Sequence, residues 1–140
     1  MQEIEARAAA SFLDSNVVLY LLSAESAKAG SAEALLKTGP VISVQVLNEV
    51  THVCIRKLHM GWDDVEQFLA LVRSFCRVVP LTEDIHDLAR QIAPRNGLSF
   101  YDACIVAAAT ASGCTTLYTE DMNHGQAIGS LTLCNPFKAA

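Results

Sequence analysis

The sequence is short of positive charge. Its 140 residues carry 10 Lys and Arg against 15 Asp and Glu, giving a net charge of -5 and a pI of about 5.2. A protein that held nucleic acid by phosphate neutralisation alone would be basic. Any such role here needs a local basic patch, bound cations or a second chain. Cysteine pairs are also missing: the five cysteines are an odd number with no Cys-x-x-Cys spacing. Cys54, Cys104 and Cys134 sit inside apolar runs, so the cysteines read as small, reduced core residues. That excludes a disulfide scaffold and makes a cytoplasmic location the expectation. No apolar run approaches the roughly 20 residues that span a bilayer, so no membrane role is expected. The opening Met-Gln-Glu-Ile-Glu lacks the apolar core of a signal peptide. Neither a Walker A motif nor Gly-x-Gly-x-x-Gly occurs among the seven glycines, which leaves nucleotide-binding folds of those kinds unsupported. Repeats, linkers and low-complexity blocks are absent as well.

What is present is hydrophobic, at 51% of residues, enough for one folded domain and too little chain for two. Residues 1–11 read as an N-terminal extension, helical or disordered, and residues 12–137 as the domain. Short apolar strands are expected at Ser11–Asp14, Val41–Val44, Val78–Leu81, Thr115–Tyr118 and Leu131–Leu133. Ser15 and Asn16 read as a tight turn, with a helical segment over Val17–Leu22. Further helices are expected over Ser26–Lys37, Gln45–Leu58 and Trp62–Phe75. One more is capped by Thr82 and ended or kinked at Pro94, and a last one follows Ser99 and ends at Gly113. Pro80 inside the third strand places that strand at a sheet edge, because proline lacks a ladder donor. Strands alternating with helices give an α/β fold with a parallel sheet and helices on both faces. Ligands bind such sheets at the carboxyl ends of the strands, where strand order reverses.

At least three of the four acids fall near that rim, and Asp102 joins them only if its helix turns back over the site. Asp14 leaves the first strand, Asp121 leaves the fourth, Glu49 lies about one turn into the helix after the second, and Asp102 opens the helix that feeds the fourth. Taken singly, Asp102 is an ordinary helix-start acid, Asp121 a turn residue and Glu49 a solvated helix position. Together they carry a cost: two carboxylates about 5 Å apart at an effective dielectric near 20 repel by about 3 kcal/mol. A cluster of this kind implies a cation, and all-oxygen ligands without His or Cys point to Mg²⁺ or Mn²⁺. Two such ions can activate a water and stabilise the leaving oxygen in phosphodiester cleavage.

Four segments carry a family resemblance: Phe12-Leu13-Asp14-Ser15-Asn16-Val17, Ser43-Val44-Gln45-Val46-Leu47-Asn48-Glu49, Ser99-Phe100-Tyr101-Asp102-Ala103, and Tyr118-Thr119-Glu120-Asp121-Met122-Asn123-His124-Gly125. In this order they resemble PIN-domain ribonucleases, in particular the VapC toxins of bacterial toxin–antitoxin pairs. The resemblance implies strand order 3-2-1-4-5 and Mg²⁺- or Mn²⁺-dependent cleavage of a structured RNA such as tRNA or rRNA. It implies Asp14, Glu49, Asp102 and Asp121 as the catalytic, metal-holding acids, a cognate antitoxin protein and a homodimer. Ser15 stands where the family often has Thr, which keeps the hydroxyl. Asn16 would brace Asp14, and Thr119 would bond a metal-bound water or an acid. Glu120 is a rival fifth acid, and His124 a loop residue that could approach substrate. Arg56, Lys57, Arg73, Arg77 and Arg95 are candidate phosphate contacts. Two other readings stay open: an inert PIN-like binding module, and a phosphoaspartate protein of receiver or dehalogenase type with Asp14 as acceptor. The second would need another Asp beside the first or at the end of strand three, where the chain reads Val-Pro-Leu-Thr.

Overall fold

The computed structural model describes residues 10–138. The extension expected over residues 1–11 lies outside that range up to residue 9, and Ser11 already belongs to the first strand. Strands β1 (Ser11–Leu13), β2 (Val41–Ser43), β3 (Arg77–Val79), β4 (Thr116–Tyr118), β5 (Ala127–Ile128) and β6 (Leu131–Cys134) form one sheet in the order β3-β2-β1-β4-β6-β5. All neighbours are parallel except the β5–β6 pair. The expected order 3-2-1-4-5 therefore holds, with Leu131–Cys134 in the fifth place and one further strand at the edge. That strand, β5, has two residues and joins β6 through Gly129 (φ 61) and Ser130. Glycine at the first position of a two-residue hairpin loop supplies the positive φ that the turn requires. A strand this short has no period to read.

The connecting helices are α1 (Ser15–Leu19), continued by a 3₁₀ turn over Tyr20–Leu22, α2 (Ser26–Leu36), α3 (Val44–Arg56), α4 (Trp62–Phe75), α5 (Glu83–Asn96) and α6 (Phe100–Ala111). Strand order runs one way from β1 to β3 and reverses into β4. Right-handed crossovers then put α1 to α4 on one face of the sheet and α5 and α6 on the other. The strands bury Phe12, Leu13, Ile42, Leu117 and Leu133, and α6 buries every residue from Ala103 to Ala109. Those small side chains let the α6 backbone lie close against its neighbours, which is why so apolar a helix shows little amphipathic pattern.

Three local expectations need correction. Ser15 and Asn16 form the first turn of α1, because the Asp14 carboxylate caps that helix, accepting from the Ser15 N–H at 2.7 Å. Strand β3 ends at Val79, before Pro80: its ladder partner β2 stops at Ser43, whose side chain is already the N-cap of α3. The strand is nevertheless at the edge. Helix α5 runs past Pro94 to Asn96 and ends at Gly97, which has φ 65. Proline there removes one hydrogen bond in the final turn and leaves the rest of the helix intact. The Ser99 cap, donating partner Asp102 N–H included, and the left-handed Gly113 (φ 82) stand as expected.

Candidate active site

The reversal of strand order falls between β1 and β4, and Asp14 and Thr119 leave the carboxyl ends of these two strands. Asp14 is buried, at 4% exposure. Its carboxylate is held by donors: the Ser15 N–H at 2.7 Å and Asn16 Nδ2 at 3.3 Å. The Thr119 hydroxyl adds a third at 2.8 Å. Burial pushes the Asp14 carboxyl up to about 6. The Thr119 and Ser15 hydrogen bonds oppose this, and repulsion from Glu49 and Asp102 adds to it.

Asn16 is the hub of the rim. Its Oδ1 accepts from the Glu120 N–H at 3.0 Å. That fixes the amide so that Nδ2 faces acceptors: Asp14 Oδ2, Thr119 Oγ1 at 3.3 Å and Asp121 Oδ2 at 3.1 Å. The two N–H bonds of one amide are thus shared among three oxygens. Thr119 in turn accepts from the Asp121 N–H at 3.2 Å, so the turn carrying Asp121 is tied to β1.

Glu49 approaches from α3. Ser15 Oγ donates to its Oε1 at 2.8 Å and Gln45 Nε2 to its Oε2 at 2.9 Å. Gln45 is itself buried and also donates to the Tyr101 carbonyl at 3.1 Å. It thereby links α3 to the start of α6, where Asp102 sits. The Asp102 carboxyl is raised, first by burial and then by repulsion from Asp121 and Glu49, with the Ser99 hydroxyl opposing. The four acids thus repel one another across a shared rim. Among the described residues, no three His, Cys, Asp or Glu side chains are gathered tightly enough to hold an ion as they stand. Glu49 and Asp121 are directed instead onto Ser15, Gln45 and Asn16. The donor set is all oxygen, and the buried charge of Asp14 is the kind a divalent cation offsets, so the chemistry fits Mg²⁺ or Mn²⁺.

Other candidates fall elsewhere. Glu120 points away from the rim: it accepts from the Tyr20 hydroxyl at 2.7 Å and pairs with Lys28 at 2.9 Å. These bonds hold its carboxyl below the ordinary value. Phe137 packs edge-on to Tyr20, with ring centroids 4.6 Å apart, and covers the same ammonium. His124 Nδ1 accepts from the Asn135 N–H at 2.9 Å, a loop tether. Arg77 donates to the Ser112 carbonyl at 3.2 Å. Arg73 and Arg95 are exposed at the ends of α4 and α5. Arg56 and Lys57 are exposed at the end of α3, Arg56 in a cleft with Trp62. All five cysteines are free, Cys54, Cys104 and Cys114 buried and Cys76 and Cys134 half-buried.

Asn16→Asp tests the hub. The change keeps the size but replaces a double donor by a charged acceptor facing Asp14 and Asp121. Leaving such acceptors without their donor costs about 1–3 kcal/mol, and the added charge costs more. The metal-free variant should melt several degrees lower than the wild type. Equal melting temperatures would show that Asn16 is an ordinary turn residue.

No helix among the described residues is long and apolar enough to cross a membrane. A family model described as PIN domain matches residues 11–127. Among curated proteins none matches the sequence. Several solved structures are similar. One is Mycobacterium tuberculosis VapC20, described as a sarcin-ricin-loop-cleaving toxin, at 24% identity over 80% of this chain and 90% of that one, with a TM-score of 0.64. Another is a toxin–antitoxin complex from Klebsiella pneumoniae, at 22% identity over 93% of this chain and 100% of that one, with a TM-score of 0.70. A third is VapBC2 from Rickettsia felis bound to a promoter DNA fragment, at 19% identity over 88% and 96%, with a TM-score of 0.65. At these identities the likeness is one of fold.

Proposed function

The chain belongs to the PIN domain family, and from that premise we propose that it is a Mg²⁺- or Mn²⁺-dependent endoribonuclease, the toxin of a toxin–antitoxin pair. The observation that carries the reading is the buried Asp14 at the β1–β4 switch, its carboxyl raised to about 6 by burial and by repulsion from Glu49 and Asp102, with Asp102 repelled in turn by Asp121. A structure that only bound partners would have no use for that cost. The phosphoaspartate reading lacks its second Asp, beside the first or at the end of strand three, where the chain reads Val-Pro-Leu-Thr.

In this reading Asp14, Glu49, Asp102 and Asp121 hold the cation. Bound there, Mg²⁺ or Mn²⁺ would supply charge for the scissile phosphate and lower the pKa of the attacking water. The protein's own groups do the rest. Thr119 and Asn16 fix the Asp14 carboxylate and keep Asp121 beside it. Ser15 and Gln45 set the direction of Glu49. In this reading Asp102, half-buried with a raised pKa, takes a proton from water. The RNA is a structured one such as tRNA or rRNA, cut where bases are unpaired. The toxin–antitoxin complexes that share the fold support a cognate antitoxin, which would inhibit by inserting an Arg or Lys among the acids. On the same reading the chain also pairs as a homodimer, because a net charge of -5 leaves a single chain short of positive charge for RNA.

Purified protein incubated with total RNA should cut it in Mg²⁺ or Mn²⁺ and stop in excess chelator. Attack by water should leave 5′-phosphate and 3′-hydroxyl ends. Persistence in chelator, or 2′,3′-cyclic phosphate products, would remove the metal mechanism. Expression alone should arrest growth and co-expression of the antitoxin should restore it; a harmless lone chain would count against the toxin assignment.

A further inference from the structure

Two clefts run end to end along α3. The first, of about 560 Å³, opens at Ser15 and Glu49 and is walled by Phe100 and Tyr101. The second, of about 290 Å³, lies between Arg56 and Trp62. Asn48 and His52 line both, so the two adjoin as parts of one grooved face. It follows a single helix face, since residues three and four apart are neighbours on a helix. From Glu49 to Arg56 it rises about 10 Å.

The groove is aromatic where an acidic rim would predict polar lining. Tyr101 and Trp62 are each 69% exposed. Phe100 stands edge-on to Tyr101, with ring centroids 5.6 Å apart, and His86 edge-on to Phe100 at 5.2 Å. The Tyr101 carbonyl is bonded to Gln45, the residue that also holds Glu49, so the backbone that carries the ring is tied to the acids. Of the five candidate phosphate contacts, only Arg56 lines either cleft.

An acidic chain gains little affinity from phosphates, and this groove holds a single cation. Stacking of bases on aromatic rings needs no positive charge and requires that the bases be unpaired. We propose that the groove along α3 is a subsite for unpaired RNA nucleotides flanking the scissile phosphate. Tyr101 and Trp62 are its stacking platforms, Asn48 offers its amide to base edges, and Arg56 contacts a phosphate at the far end. The inference rests on the ribonuclease reading for its substrate class.

Trp62 is the only tryptophan in the chain, so its emission reports the groove directly. The experiment uses full-length Asp14→Asn protein in Mg²⁺, which binds without cutting, titrated with a short unpaired oligoribonucleotide of mixed sequence. Emission should be quenched saturably, and the same strand in a duplex should not quench it. Tyr101→Ala should weaken binding about tenfold, the scale of losing one base stack, while Tyr101→Phe, which keeps the ring, should restore it. Arg56→Ala should weaken binding and reduce its salt dependence by about one unit of slope. Lys37→Ala, which removes an equal charge from a surface pair with Glu33 outside the groove, should change neither. The proposal fails if the oligonucleotide binds without altering Trp62 emission, or if Tyr101→Ala leaves the affinity unchanged. It also fails if Trp62→Ala breaks a dimer or antitoxin contact and leaves RNA binding intact, since the face would then belong to a protein partner. Failure of the ribonuclease reading shows separately, as wild-type protein that never cuts RNA in metal.

Discussion

Asp14→Asn is expected to reduce RNA cleavage by at least about a hundredfold, the scale of losing one preorganised electrostatic group from a reaction site, and to leave a better-folded protein behind. Both effects come from the same buried carboxylate. Its pKa of about 6 against an ordinary 3.8 means that ionised Asp14 costs the folded state about 3 kcal/mol at neutral pH. Asn removes that charge. It also puts an amide N–H₂ where Oδ2 now accepts from Thr119 and Asn16. The Thr119 hydroxyl already accepts from the Asp121 N–H and Asn16, so it can take the new donor only if Asn16 turns wholly to Asp121, a rearrangement that costs about 1 kcal/mol. The net gain of about 2 kcal/mol raises the metal-free melting temperature by several degrees. Cleavage assays and thermal melts on the same preparation decide it. An active variant removes Asp14 from the reaction, and an inactive variant of lower melting temperature makes Asp14 a structural cap alone.

The second large effect is a pH dependence that runs against the usual direction for carboxylates. A group whose folded pKa is raised contributes stability that is complete below its unfolded pKa and lost as pH rises through the folded one. For Asp14 the window lies between about 4 and about 6, and Asp102 acts in the same sense. Glu120, whose pKa is lowered, opposes them, but its ion pair is partly solvated and contributes little. In chelator, the wild type should therefore be weaker than Asp14→Asn at pH 7.5, and the difference should shrink toward pH 4. Adding Mn²⁺ at pH 7.5 should reverse the order. A ligand bound only by the folded state adds about 2.7 kcal/mol at a hundredfold excess over Kd, roughly 10 °C for a domain of this size, and the variant should receive much less. A gap between wild type and variant that ignores both pH and Mn²⁺ would mean that the carboxylates do not share a site.

How much of this could be read from the chain alone follows from the range of each signal. Ser99 before Asp102, Thr82 before Ile85 and the αL glycine Gly113 are local, and the sequence shows them; the αL Gly97 is equally local but is hidden behind Pro94, which reads as the stronger stop. The parallel sheet follows from alternation of strands and helices, whereas the strand order and the place of Asp102 among the acids come from the family resemblance. Asn16 is different. Its partners Thr119 and Asp121 lie 103 and 105 residues away, and no local pattern announces them. Lys28 and Glu120, 92 residues apart, are equally silent. Gln45 was within reach: it precedes Glu49 by four residues, one helix turn, and so shares its face. The misplacement of β3 came from treating Pro80 as part of a strand, when the end of β2 sets where pairing stops.

The pairing of β1 with β4 also governs when, during synthesis, this chain can first act. A ribosome makes Asp14 early and Asp121 late, and the hydrogen bond from Thr119 to Asp14 closes a separation of 105 residues. Until Thr116–Tyr118 emerge, β1 has a partner on one side only. No nascent fragment that stops before them holds Asp14 in its three-donor cradle or brings Asp121 to the rim. The centre therefore cannot assemble until β4 and the turn after it have been made, and shorter products lack it however well their first strands and helices have folded.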